Sequence, residues 1–419
     1  MLTRGQFLRG SLALVFASTT SGVAFAQQGG IEQAEWSQNY DSVTRMRVKR
    51  SNTPTLSPEA LHATEQMAER YRDIVDRGGW EPIRAGRMRL GTRDPAVAAL
   101  RQRLILTGDL DADVGGSTTF DSYVEAGVRR FQARHGLNTT GVLNNSTIAA
   151  MNVTAETRLR QLEANIVRLR AYSGNLGHRY VIVNIPAAVV ETVQDGHVVT
   201  RHAAGVGKID RQSPIMNKKI TEINFNPFWT VPASIIRKDL IPRMQKEPNY
   251  LTENKIRIIG PGGQELAPSQ VNWFSNEATR YMFKQDPGGD LNSMGFVRIN
   301  IPNEHGVYMH DTPSRGIFGD DFRFVSSGCV RVQNVRDYIQ FLLAENQGWD
   351  RMAIDAAFDS GERKDVRLAQ PVNVYWTYIT AWATPDGVVQ FRDDIYKRDG
   401  LGNIPMASAA DKEPEEAVN

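Results

Sequence analysis

The chain of 419 residues contains one cysteine, Cys329, in the segment Val325-Ser326-Ser327-Gly328-Cys329-Val330-Arg331-Val332. Small residues and a glycine ahead of a thiol allow a substrate backbone to approach closely. The thiolate is the attacking form, so such a site needs a group that takes the proton. Histidine fills that role in Cys–His pairs. His310 ends a strand-like run, Gly306-Val307-Tyr308-Met309-His310, and is followed by a glycine-containing loop from Asp311 to Asp321. A strand, loop and turn that fold back on one another would bring His310 to Cys329. The N–H of Cys329, with that of Gly328 or Ser327, would then face the oxyanion of a tetrahedral intermediate. The alternative for a lone thiol is a buried, inert apolar side chain, and composition alone does not decide between the two.

The neighbours of this pair have two readings each. The guanidinium of Arg331 suits bidentate recognition of a carboxylate; otherwise it pairs with Asp337 on the following helix. Ser327 and Tyr308 are the further candidates for touching substrate, although Tyr308 and Trp229 also fit a core. Asp311 adjoins His310, but adjacent strand residues point to opposite faces, so a backbone carbonyl is expected to orient the imidazole. For the same reason His305, His310 and Asp311 are not expected to share a metal. No organic cofactor is expected either, because the thiolate supplies the covalent step.

The rest of the chain must position these groups. Its length implies two or three domains. Hydrophobic residues at 41% and charged residues at 23% argue against wholesale disorder. A net charge of +2, from 49 basic and 47 acidic residues, offers no reason to expect a nucleic-acid partner. Residues 1–26 read as a secretory signal: Arg4 and Arg9 lie ahead of the apolar Leu12 to Ala17, and Ala24-Phe25-Ala26 fits a cleavage site. That apolar stretch is well short of the roughly 20 residues that span a bilayer. Export would place the chain in an oxidising compartment, where structural cysteines normally pair; Cys329 has no intramolecular partner, which marks it as a reactive thiol.

Periodicity divides the chain further. Residues 27–86 read as a polar linker and a helix from Ser57, with Pro58 in its first turn and Arg77-Gly78-Gly79 ending it. In residues 87–153, Val97, Leu100 and Leu104, then Val124, Val128 and Phe131, recur at helical spacing. A connecting helix is expected over 154–178, with Leu159, Leu162, Ile166 and Leu169 on one face and a solvated basic face. From Arg179 the pattern becomes β-branched and strand-like, in Tyr180 to Ile185, Val189 to Val193 and Phe296 to Ile299. Residues 179–360 are therefore expected to form a β-rich domain, interrupted by a helix-and-loop insertion over 234–282. Residues 361–402 read as a C-terminal strand segment packing on that domain, and 403–419 as a disordered tail.

Two resemblances sharpen this division. Leu90-Gly91, Phe120-Asp121, Ala126-Gly127-Val128, Phe131-Gln132, Gly136-Leu137, Gly141 and Thr147 resemble the peptidoglycan-binding domain family, a three-helix module. His310-Asp311-Thr312-Pro313-Ser314 followed by Ser326 to Val332 resembles the active-site signature of the L,D-transpeptidase family. Val206-Gly207-Lys208 and Asn226-Pro227-Phe228-Trp229-Thr230-Val231-Pro232 agree as well. Many members carry Ser-His-Gly-Cys; Ser327 replaces that histidine, as is common in the large periplasmic Gram-negative branch. The resemblance implies a multidomain α+β protein, with a three-helix binding module ahead of a β-rich catalytic domain. It implies a periplasmic enzyme that acylates Cys329 with a tetrapeptide stem, releases D-alanine and passes the acyl group to a second stem. His310 would be the base, and Gly328 and Cys329 the oxyanion donors. The implied partners are peptidoglycan peptide stems, and the oligomeric state stays open. Hydrolysis of the same acyl-enzyme, as in an L,D-carboxypeptidase, is the first alternative, and a catalytically weak wall-binding scaffold the second.

Overall fold

A computed structural model describes residues 51–113, 116–172, 174–402 and 404–411. The expected leader and much of the expected linker lie outside these residues. The first helix, α1 (Pro58–Asp76), starts where its sequence dictates: Ser57 Oγ accepts the Ala60 N–H at 3.1 Å, with Pro58 in the first turn. Three helices follow, α2 (Ala96–Leu106), α3 (Ser122–Arg134) and α4 (Asn145–Met151). Val97, Leu100, Leu104, Val124, Val128 and Phe131 are all fully buried in their shared core. Asp121 and Asn144 cap α3 and α4 through their side chains. Beneath this module Arg134 and Asp109 form an ion pair at 2.6 Å, with both side chains buried.

The connecting helix α5 (Ala155–Tyr172) packs against α1, Tyr71 and Ala68 meeting Leu159 and Leu162. Its basic face is not uniformly solvated. Arg158 is buried and stacks on Phe391 at 4.6 Å, because a later hairpin, β14 (Ala381–Ala383) and β15 (Val389–Phe391), closes over this side.

The β-rich domain is a nine-stranded sheet. Its strands are β1 (Arg179–Asn184), β2 (Val189–Gln194), β3 (His197–Gly207), β4 (Met216–Phe225), β9 (Val297–Asn300), β10 (Met309–His310), β11 (Phe324–Ser326), β12 (Val330–Val332) and β13 (Lys364–Thr377). Their order is β11-β3-β12-β10-β9-β4-β13-β1-β2, and β2 also pairs with β3, so the pairing returns on itself. Alternate residues point inward: Val181, Val183, Ile223, Phe225, Val297, Ile299, Met309, Val330 and Val332 are buried against α6 (Val335–Leu342) and α7 (Arg351–Asp359). The strand segment expected to pack on the domain contains β13, which is a strand within the sheet itself. It runs parallel to β1 and antiparallel to β4, since its Val372, Val374 and Trp376 supply buried side chains that the core requires.

The insertion is more than helix and loop. A helical stretch (Ala233–Ile235, a π-helical turn Ile236–Leu240, and Ile241–Lys246) is joined to a four-stranded antiparallel sheet. Its strands β5 (Trp229–Thr230), β6 (Ile256–Ile259), β7 (Glu265–Leu266) and β8 (Met282–Gln285) run in the order β5-β8-β6-β7 around a separate core of Leu240, Met244, Leu251, Ile258, Trp273 and Phe283. Residues 404–411, expected to be disordered, are ordered on the helical module. Asp393 accepts the Ala407 and Ser408 N–H groups, Ala407 is buried in the module core, and Asp411 accepts the Asn145 and Ser146 N–H groups.

Candidate active site

Strand pairing sets His310 on the strand beside the one that Cys329 leads into. β10 runs parallel to β12 with Met309 opposite Val330 and His310 opposite Arg331. Met309 and Val330 are fully buried in the core. The period of two then puts His310 and Arg331 on the other face, with Tyr308 and Cys329 one step back along the same pair of strands. β9 adds a fifth group, since Arg298 lies opposite His310. Cys329 is half-buried at the edge of the core, between β11 and β12.

The imidazole is held by its own backbone. His310 Nδ1 lies 2.5 Å from the carbonyl oxygen of Asp311. A carbonyl only accepts, so Nδ1 carries the proton and the lone pair is on Nε2. The Asp311 carboxylate points elsewhere, accepting the Phe296 N–H at 3.0 Å, and burial raises its pKa. Asp311 thus orients His310 through its main chain, as alternation along the strand requires.

Electrostatics fixes the resting protonation. Burial pushes the Cys329 thiol up to about 11, against the opposing pull of the Tyr308 N–H, Arg298 and Arg331. Burial and the same two guanidinium groups push His310 down to about 3. At neutral pH the pair is therefore a neutral thiol beside a neutral imidazole. The two rest without a hydrogen bond between them, an arrangement that commonly tightens only when substrate is bound. A neutral imidazole with a free Nε2 can take the thiol proton as attack proceeds.

The turn around Cys329 commits most of its polar groups. Ser326 Oγ donates to the Cys329 carbonyl at 2.6 Å and accepts the Gly328 N–H at 3.1 Å. The Gly328 N–H, expected as an oxyanion donor, is thereby used inside the turn. The Cys329 N–H has no protein acceptor among the described residues and is the donor left for an oxyanion. Gly328 has φ +111°, a conformation that side-chain-bearing residues rarely adopt.

The remaining candidates separate. The Arg331 side chain makes no hydrogen bond or ion pair among the described residues, and its Nε is buried without a partner; Asp337 instead pairs with Arg351 at 2.5 Å. Ser327 is exposed and accepts from Arg211 Nη1 at 3.0 Å. Tyr308 sits edge-on to His310 at 5.7 Å, under Arg298 at 4.6 Å, with its hydroxyl beside the Trp229 side chain of β5. Two arginines went unforeseen. Arg298 interrupts an apolar strand, Phe296-Val297-Arg298-Ile299, and that interruption was the available signal. Arg211 pairs through both Nη atoms with Asp239 on the π-helical turn of the insertion, at 2.5 and 2.9 Å, while also holding Ser327. Nothing in the sequence pointed to that bridge.

Two segments of the chain match known families. Residues 178–365 match the family described as "L,D-transpeptidase catalytic domain", and residues 93–151 the family described as "Putative peptidoglycan binding domain". A protein of Haemophilus influenzae described as "Putative L,D-transpeptidase" is 31% identical over 245 residues, which is 58% of this chain and 49% of that protein. The chain thus spans about half the length of that relative. Similar solved structures include an L,D-transpeptidase from Mycobacterium smegmatis, at 14% identity and a TM-score of 0.24, covering 48% of this chain and 58% of the other. Another, from Stackebrandtia nassauensis, has 12% identity and a TM-score of 0.29 and covers 73% of this chain and 99% of the other. Residues 178–365, which hold Cys329 and His310, are thus similar to the L,D-transpeptidase catalytic-domain family, and residues 93–151 of the same chain to a peptidoglycan-binding domain family.

Proposed function

We propose that this chain is a periplasmic peptidoglycan L,D-transpeptidase that cross-links peptide stems through an acyl-enzyme on Cys329. The observation that carries the reading is the β10–β12 register, which gives Cys329 and His310 one face with Arg298 and Arg331. As Cys329 Sγ attacks the carbonyl of the L-centre in a donor stem, His310 Nε2 takes the thiol proton. The oxyanion forms against the Cys329 N–H. Collapse of the intermediate breaks the amide, and the imidazolium returns its proton to the departing D-alanine amine. The side-chain amine of a second stem then attacks the thioester, His310 accepts the amine proton, and the thiol leaves with that proton. Arg331, without an acidic partner, serves a stem carboxylate. The helical module retains the enzyme at the wall.

The insertion supports transfer to an amine over hydrolysis. The Arg211 bridge ties it to Ser327, two residues before the nucleophile, so it forms one wall of the cleft and excludes water. The test is muropeptide analysis after incubation with tetrapeptide stems, alongside Cys329→Ala. Cross-linked dimers from the parent, and none from the variant, are expected. Dimers at the parental rate from Cys329→Ala refute the mechanism, and tripeptide without dimer makes the enzyme a carboxypeptidase.

A further inference from the structure

Beneath the nucleophile turn lies a serine that has no part in the chemistry described so far. Ser213 is completely buried, on the segment between β3 and β4. Its Oγ accepts the Gly207 N–H at 3.0 Å and donates to the Gly328 carbonyl at 2.9 Å. Because Gly207 has only a donor to offer there, the hydroxyl proton is committed to Gly328. Ser213 is in turn held from the C-terminal segment. Its own N–H goes to Tyr396 Oη at 3.2 Å, and that hydroxyl donates to the Gly207 carbonyl at 2.6 Å. A Cβ at Gly207 would collide with the Arg211 carbonyl, so the turn closes this tightly only around glycine.

The Gly328 carbonyl and the Cys329 N–H are the two ends of a single planar peptide and point in opposite directions. Holding the carbonyl down on Ser213 therefore aims the N–H away from Ser213, on the far side of the chain. Gly328 would not hold that plane unaided, since glycine rotates through positive and negative φ at little cost. We propose that Ser213 is a positioning residue for acyl transfer: its hydroxyl pins the Gly328–Cys329 peptide so that the Cys329 N–H is preset for the oxyanion. This rests on the reading of Cys329 as an acyl-accepting nucleophile.

The test compares two reactions of the same thiol in the full chain. Acylation by a carbapenem-type β-lactam passes through an oxyanion, whereas alkylation by iodoacetamide is displacement at a saturated carbon and forms none. Deleting an oxyanion donor outright costs about 10²–10³ in rate, and misaiming one costs less, so Ser213→Ala should slow acylation about ten- to a hundredfold. Its alkylation rate should stay within about twofold of the parent, and Ser213→Thr, which keeps the hydroxyl, should recover acylation. If Ser213→Ala lacks a parental melting transition, Tyr396→Phe makes the same comparison by releasing Ser213 from behind; acylation should fall at least severalfold with alkylation unchanged. Acylation at the parental rate in the variant overturns the proposal, and so does an equal loss of acylation and alkylation, which would mean the turn has simply collapsed. A parent that is not acylated at Cys329 refutes the transpeptidase reading itself.

Discussion

The resting protonation of the Cys329–His310 pair separates two mechanisms that share every residue. In a preformed thiolate–imidazolium pair, thiol reactivity would barely change between pH 7 and pH 9. Here the thiol is pushed up to about 11 and the imidazole down to about 3. At pH 7 about one thiol in 10⁴ is then ionised, and about one in 10² at pH 9. Alkylation by iodoacetamide, which needs the thiolate, should rise about a hundredfold over that range. Acylation should not rise with it, because His310 is already neutral at pH 5 and takes the proton during attack. Its rate should be level from about pH 5 to pH 9. In His310→Ala acylation depends on thiolate already present. It should fall about 10²–10⁴-fold at pH 7 and climb about tenfold per pH unit. Both reactions can be followed by mass spectrometry on parent and variant. Level alkylation in the parent would show a resting ion pair and refute the assigned protonation. A parental acylation profile in His310→Ala would remove His310 as the base.

Three further outcomes follow from particular contacts. Gly328→Ala forces a Cβ onto φ +111°, 3.3 Å from Val307 Cγ1; a cost of about 1–3 kcal/mol should appear in thermal melting, together with slower β-lactam acylation. Asp109→Ala leaves Arg134 buried without its carboxylate, so denaturant unfolding should show a loss of about 3–5 kcal/mol while Cys329 alkylation below the transition is unchanged. Arg211→Ala releases the insertion from Ser327; stability should change by less than about 1 kcal/mol because Asp239 is 40% exposed, but the ratio of hydrolysed to cross-linked stems should rise, and an unchanged ratio would mean the insertion does not shield the acyl-enzyme.

How legible the molecule was depended on whether a feature is local or is made by distant parts of the chain. The helical module was legible because Val97, Leu100 and Leu104 mark one face of a helix by spacing alone, and Asp121 and Asn144 carry their capping chemistry in their side chains. The shared face of Tyr308, His310, Cys329 and Arg331 could be anticipated from alternation once two strands were expected to pair. The small strands of the insertion could not. β5 and β7 are two residues each, too short to show a period, and are formed by pairing with β6 and β8. Arg158 read as part of a solvated basic face, since the hairpin that covers it lies far off in sequence. The protonation of the active pair was equally hidden. A Cys–His motif suggests an ion pair, whereas burial and two guanidinium groups reverse it here, and Arg298 reaches the site only through the register of β9 on β10.

The same distinction explains why the turn at Cys329 is not a property of the signature segment. Residues 311–329 contain few buried apolar side chains and cannot hold their own shape. Their anchors come from elsewhere: the Asn138 N–H and side-chain amide of the helical module reach Asp321 and the Gly319 carbonyl at 2.6 and 3.0 Å. Arg323 reaches back to the Ala187 carbonyl at 3.0 Å, and Arg211 and Ser213 grip Ser327 and Gly328. Tyr396, which steadies Ser213, lies beyond β13, and β13 itself stands between β4 and β1 in the sheet. A chain cut at residue 360 would keep Cys329, His310 and every motif residue around them. It would lose a strand from within the sheet and the hydroxyl behind Ser213, so the peptide that presents the Cys329 N–H would have no fixed plane.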